Sequence, residues 1–402
     1  MDTVSTGSGS DLVSDQIQRK RYSIVKLYKV STAILLITLF SSVALSQQGT
    51  APATNSNLLE LKIPAPSLKG NLLGDPTEQP AVVYLPPGYE ASTKRYPTLY
   101  LLHGFTANNR IWINGAYQGM KLQTLMDDLI RNGKVRELIV VAANGSNAYK
   151  GSFYTNSVVT GNWEDFITRD LVNYVDANYR TLAQAQSRGI AGHSMGGYGS
   201  VMLGMKHPEI FSVVYALSPC CLAMEADMSE ANSAWPGLLQ LTSKDQLNAP
   251  PRSFAQFFYS AFVALSAAFS PNPNRAPFFV DFPFELKSGN CTPPAEGKLL
   301  TSTPCVQRNE AVYAKWRSHV PVYIAGANKE NLKKLRGIFI DYGEKEEFEH
   351  IRTGVKQLSS TFSELNIPHQ FEIYAGGDHG SLIRQRMETR VLQFFNERLV
   401  FD

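Results

Sequence analysis

Cysteine is scarce in this chain. Only Cys220, Cys221, Cys291 and Cys305 occur in 402 residues. None is spaced as C-x-x-C, which excludes the usual structural zinc arrangement. Charge of one sign is also missing. The 38 basic and 35 acidic residues leave a formal net charge of +3, and no Lys/Arg run exceeds three residues. That removes the dense basic stripe that nucleic-acid binding needs. No internal repeat is present, which excludes a solenoid. Neither of two apolar runs, residues 30–45 and 253–269, reaches the ~20 residues of a comfortable membrane span. What the chain does have is material for a core. It is 44% hydrophobic and 18% charged, which excludes wholesale disorder and suits one large domain or two ordinary ones.

The N-terminus reads as separate from the fold. Arg19, Lys20, Arg21, Lys26 and Lys29 precede the uncharged run at 30–45, which ends in Ala44-Leu45-Ser46. A basic region, a short apolar core and small residues at its end form the pattern of a secretory signal. The expectation is therefore a signal or uncleaved anchor over 1–46, a polar linker over 47–58, and a catalytic domain over 59–402. Either reading of the first segment places the domain outside the cytoplasm, secreted or periplasmic, or anchored and facing outward. A membrane partner is expected only if the segment is retained. Export permits disulfides. Four cysteines allow three pairings. The reading favours Cys291–Cys305, closing a loop of about 15 residues worth ~3 kcal/mol in the chain-entropy model. Adjacent Cys220 and Cys221 read as two buried thiols.

Beyond residue 80, short apolar runs alternate with helical stripes. Strands are predicted at 81–87, 97–104, 137–145, 188–193, 211–219, 336–343 and from 369. Helices are predicted at 122–133, 162–180, after residue 194, at 354–366 and at 382–399. This alternation predicts an α/β fold with a mostly parallel sheet and helices on both faces. Uninterrupted runs such as "LIVVAA" suit strands buried on both faces. In such sheets the reactive groups sit at the carboxyl ends of strands.

One stretch meets that condition with chemistry. Gly192-His193-Ser194-Met195-Gly196 fits G-x-S-x-G, with a strand before it and a small-residue helix after it. A nucleophilic serine on a tight strand-to-helix turn needs glycines where strand and helix approach. It also needs a base. Of seven histidines, His193 lies inside the turn, with its side chain expected to point away from the nucleophile. His103, His207, His319, His350 and His369 lie at strand ends, helix ends or loops elsewhere. His379 follows the last strand in "AGGDHG" and fits the order serine, acid, histidine. The acid should follow the strand "RGIFIDYG". Asp341, Glu344, Glu346, Glu347 and Glu349 are all candidates, and spacing does not separate them. The backbone N–H groups of Met195 and Phe105 are the expected donors to a developing oxyanion.

These residues resemble the esterase D-type family of α/β-hydrolases, which includes S-formylglutathione hydrolases, feruloyl esterases and mycolyltransferases. The matching stretches are "YLPPGY" (84–89), "YLLHGF" (100–105), residues 192–219, "DYGEKEEF" (341–348) and "GGDHG" (376–380). The resemblance implies an α/β-hydrolase fold and a triad of Ser194, Glu346 and His379, with Asp341 in support. It implies ester hydrolysis through an acyl-enzyme on small-molecule or carbohydrate esters, without cofactor or metal. Two other readings stay open: an acyltransferase using the same triad with an alcohol or sugar acceptor, and a catalytically silent binding protein.

The chain departs from the family pattern in an insertion of roughly a hundred residues, 222–320. Phe254, Phe258, Phe262, Leu265 and Phe269 recur there at helical spacing. This stripe reads either as a lid forming an apolar acyl pocket or, with slightly more weight, as a helix packed on the core without substrate contact.

Overall fold

Among the described residues, eight strands make the central sheet. The structure, a computed structural model, describes residues 57–248, 254–288, 299–301 and 303–402. The segment read as signal or anchor lies outside the described residues. So does Cys291, and with it the Cys291–Cys305 pairing. Among the described residues, no helix is long and apolar enough to cross a membrane.

The strands are β1 (Leu58–Pro64), β2 (Glu78–Tyr84), β3 (Thr98–Leu102), β4 (Ile139–Ala143), β5 (Arg188–His193), β6 (Val213–Leu217), β7 (Gly337–Gly343) and β8 (Gln370–Tyr374). They form one sheet in the order β1-β2-β4-β3-β5-β6-β7-β8. β2 runs antiparallel to β1 and β4, and β3 to β8 are all parallel. The order reverses at β3, so β3 and β5 lie side by side at the centre with their carboxyl ends together. That is the switch-point crevice where α/β sheets bind ligands.

Each central strand is buried on both faces. Tyr100 and Leu102 of β3 pack into one apolar layer, and Leu99 and Leu101 into the other. The helices supply the covers. α1 (Leu122–Arg131) buries Leu122, Leu125, Met126 and Leu129 along one stripe. It stops at Gly133, whose φ of 66° lets the Lys134 amide turn back to the Leu129 carbonyl. α2 begins at Trp163–Asp165, passes through a π-helical turn at Phe166–Leu171 and continues over Val172–Asn178. α3 (Met195–Lys206) follows β5, and α4 (Phe254–Phe269) lies in the insertion. α5 (Glu349–Glu364) follows β7. α6 runs from Ile383–Arg386 through a π-helical turn at Met387–Val391 into Leu392–Arg398.

Strand β1 has no counterpart among the predicted elements. Its alternating leucines sit on a sheet edge beside a polar linker, and its ladder to β2, from Leu58↔Tyr84 to Pro64↔Glu78, is a pairing that local pattern does not reveal. Helix α4 corrects the reading that kept it away from the site. It does pack on the core, with Phe262 stacked on Trp235 at a centroid distance of 3.9 Å. The same helix also supplies Phe257, Phe258, Ala261, Phe262 and Leu265 to the wall of the cavity that contains Ser194.

Candidate active site

Ser194 sits at the joint between β5 and α3 with φ 59° and ψ −116°. A side-chain-bearing residue rarely adopts this conformation, and holding it costs about 1–3 kcal/mol. The Ser194 amide donates to the Leu217 carbonyl of β6 at 2.9 Å, which ties the turn to the neighbouring strand. The two motif glycines are required by contact. A Cβ on Gly192 would lie 2.3 Å from the carbonyl group of Gly196, and one on Gly196 would lie 2.2 Å from the Leu102 oxygen. Strand, turn and helix are therefore packed backbone to backbone, and the serine is pushed up over the carboxyl ends of β3 and β5.

The loop after β3 closes over it. A Cβ on Gly104 would stand 3.3 Å from the Ser194 Cβ. Buried His103 shapes this loop. Its Nδ1 lies 2.8 Å from the Gly104 carbonyl, and its Nε2 lies 2.8 Å from the Gly145 amide nitrogen. A carbonyl only accepts and an amide only donates, so the ring is the neutral Nδ1–H tautomer. Desolvation lowers its pKa to about 4. Thr106 and Ala107 amides donate to Lys150 and Gly104 carbonyls, while the Phe105 amide finds no backbone acceptor among the described residues. Met195 is the first residue of α3, and an amide at that position has no intrahelical partner.

His379 lies in the loop after β8. The five acidic candidates now separate by position. Asp341 is fully buried within β7, where it accepts hydrogen bonds from Tyr215 Oη and Arg386 Nε at 2.6 and 2.9 Å. Burial pushes its pKa up to about 6 against the pull of Arg386. Glu344 accepts from the Gly376 amide and Glu347 from the His379 amide, at 3.1 and 2.9 Å, so both hold the histidine loop by its backbone. Glu349 opens α5, half exposed. Only Glu346, with no exposed surface, meets the ring: its Oε2 is 2.9 Å from His379 Nδ1. Its other oxygen accepts the Phe348 amide at 3.2 Å.

Ser194, His379, Gly104 and Phe105 line one cavity of about 290 Å³. Ser194 Oγ makes no hydrogen bond to another of the described residues. Most of the remaining wall is apolar, including Phe153, Met228, Phe348, Ile351 and the α4 face, with Thr106, Tyr117, His193 and His350 as polar members. Cys220 and Cys221 also line it, both buried as thiols, with their sulfurs 2.8 Å apart.

His193 departs from expectation. Its ring faces the cavity and packs on His379, with centroids 4.7 Å apart. Its Nε2–H donates to the His379 carbonyl at 2.7 Å, and its Nδ1 accepts from Tyr117 Oη at 2.9 Å. The chain Tyr117–His193–His379 thus holds the histidine loop by its carbonyl, beside the contacts from Glu346 and Glu347. No periodicity in the sequence signals it, because the contact depends on where β8 ends. Desolvation, with His379 beside it, lowers the His193 pKa from 6.5 to about 3. The unfolded chain then binds this proton more tightly. The neutral ring contributes stability above pH 6.5 that is lost as pH falls from 6.5 toward 3. Between pH 6 and 4, the unfolding free energy of wild type is expected to fall more steeply than that of His193→Gln, by about 1.4 kcal/mol per pH unit. Urea titrations at several pH values measure it. Equal slopes would show that the ring is not held neutral.

Residues 76–383 match the family model described as Esterase, well over half of the chain. A segment of 139 residues is 37% identical to an endo-1,4-beta-xylanase/feruloyl esterase of Xylanibacter ruminicola, covering 33% of this chain and 18% of that protein. The chain thus spans less than a fifth of that relative's length. A solved ferulic acid esterase superposes with a TM-score of 0.53 at 19% identity, over 85% of this chain and 98% of its own. An S-formylglutathione hydrolase of Agrobacterium tumefaciens gives 0.51 at 18% identity, over 85% and 95%. The sheet order, the sharp serine turn between β5 and α3, and these likenesses converge: the fold is that of the α/β-hydrolases, and the chain belongs to the Esterase family.

Proposed function

We propose that the chain is a serine carboxylic-ester hydrolase. The observation that carries this reading is the Glu346–His379 pair standing at the rim of the cavity that holds Ser194. Ser194 Oγ attacks the ester carbonyl, and His379 Nε2 takes its proton. Glu346 accepts Nδ1–H, fixing the tautomer and stabilising the imidazolium. The amides of Met195 and Phe105 receive the oxyanion, each such donor being worth about 10²–10³ in rate. His379 returns the proton to the departing alcohol. Water, activated by the same ring, then cleaves the acyl-enzyme and regenerates the serine.

The apolar wall suits the acyl side of an ester better than a charged or strongly hydrated group. Feruloyl and other aromatic acyl esters of sugars fit this wall, in keeping with the name of the Xylanibacter relative. The basic-then-apolar segment at 19–45 supports an exported enzyme.

Fluorophosphonate reagents test the reading directly. A single covalent label on the peptide carrying Ser194 is expected, together with a burst of p-nitrophenol when p-nitrophenyl butyrate is mixed with enzyme. Labelling elsewhere, or none, overturns it. Product analysis in the presence of a sugar alcohol distinguishes water from an alcohol as the acyl acceptor.

A further inference from the structure

A second carboxylate–imidazole pair, whose imidazole lines the same cavity, has no part in the chemistry above. His350 is the second residue of α5, and Asp227 belongs to a short 3₁₀ turn of the insertion, Ala226–Met228. His350 Nδ1 lies 2.9 Å from Asp227 Oδ2, and the His350 backbone amide donates to the same oxygen at 3.0 Å. Both residues are at least 95% buried. The carboxylate is the acceptor, so Nδ1 carries the ring hydrogen and Nε2 is left over. Among the described residues Nε2 has no protein partner, and it is not among the atoms sealed from solvent without one. His350 lines the Ser194 cavity, so the atom opens into it. Around it the wall is Met228, Phe258, Phe262 and Ile351. A polar nitrogen within a locally apolar stretch of wall, with Thr106, Tyr117, His193, Ser194 and His379 as the cavity's other polar lining residues, is an arrangement that gives a ligand its orientation.

The ring of Phe348 links the two imidazoles. Its centroid is 4.7 Å from that of His379 and 5.7 Å from that of His350. An acyl group bonded at Ser194 would leave the base, pass the Phe348 and α4 aromatics, and reach His350. The group that suits Nε2 is a hydroxyl. It donates to the neutral ring and accepts from the protonated one, whereas a carboxylate would meet the charge of Asp227. We propose that His350 is a specificity-determining residue that hydrogen-bonds a hydroxyl at the far end of the acyl group, with Asp227 as its positioning residue. The inference rests on the reading of Ser194 as the acyl-accepting serine.

Matched substrates test it. The p-nitrophenyl esters of 3-(4-hydroxyphenyl)propanoate and 3-phenylpropanoate differ only in the hydroxyl. Wild type is expected to favour the hydroxylated ester about tenfold in kcat/KM. The ratio is expected to fall to about one in His350→Phe and to an intermediate value in Asp227→Asn, which keeps the ring but loosens its tautomer. Each ratio is internal to one variant, so a uniform loss of activity cancels. A wild type without preference overturns the proposal whether or not the variants fold, and so does a His350→Phe enzyme that keeps the preference. Wild-type hydrolysis of p-nitrophenyl acetate separates the two levels. If acetate is cleaved and no preference appears, this proposal alone fails. If acetate is not cleaved, the esterase reading fails and takes this one with it.

Discussion

Replacing Ser194 by alanine is expected to lower kcat/KM for p-nitrophenyl butyrate by about 10⁶-fold, leaving only what the oxyanion donors and the cavity contribute. Two features of the site make the expectation that large. The hydroxyl is the group that the turn lifts over the ends of β3 and β5, and alanine leaves the imidazole no hydroxyl to deprotonate at that point. The same position has a second, opposite effect. Ser194 is held at φ 59° and ψ −116°, which is strained for any side chain and open to glycine. Ser194→Gly is therefore expected to be as inactive as the alanine variant and more stable than wild type by about 1 kcal/mol. Urea midpoints of the three proteins measure this. A glycine variant no more stable than the alanine variant would show that the turn stores no strain.

Glu346→Gln is expected to reduce kcat by about 10³–10⁴-fold with little change in KM. The carboxylate is fully buried, 2.9 Å from His379 Nδ1, and its second oxygen is occupied by the Phe348 amide. An amide in its place presents both a donor and an acceptor, so it no longer dictates which ring nitrogen carries hydrogen. It also cannot stabilise the imidazolium that forms when Ser194 attacks. Glu347→Gln is the informative comparison. Among the described residues that side chain accepts only the His379 backbone amide, and its loss should cost far less. Similar losses in both variants would show that loop placement, rather than the charge beside the ring, is what Glu346 provides.

The proposed nucleophile and base stand out in the sequence for different reasons. Ser194 is announced locally, because its flanking glycines and the strand before and helix after it form one strongly patterned stretch. His379 is announced by chain order after the final strand. The acid was not separable by spacing: Asp341, Glu344, Glu346, Glu347 and Glu349 lie within one turn-rich stretch. Which of them meets the ring depends on how β7 ends relative to β8. Family resemblance selected Glu346, and in the structure that residue alone meets the ring.

What stayed hidden shares one cause. His193, Tyr117, His350 and Asp227 act through contacts between segments far apart in sequence. Asp227 comes from an insertion whose return path no local pattern predicts. The aromatic stripe of α4 was visible as a helix, but its two-sided use was not, since helical periodicity reports which face is apolar and not what that face meets.

The position of Phe348 limits how such a pocket can diversify. One ring touches both the base and the distal imidazole, and its own amide is bound to Glu346. Selection for a bulkier or slimmer substrate cannot resize that side without disturbing proton transfer. Elsewhere the burden is lighter: Phe262 and Leu265 reach the cavity from α4, which bears none of the proposed reacting groups, although Phe257 and Phe258 of that helix pack on Phe348. Natural variants and engineered libraries alike should find their tolerated changes on that helix, with the residue beside the acid left alone.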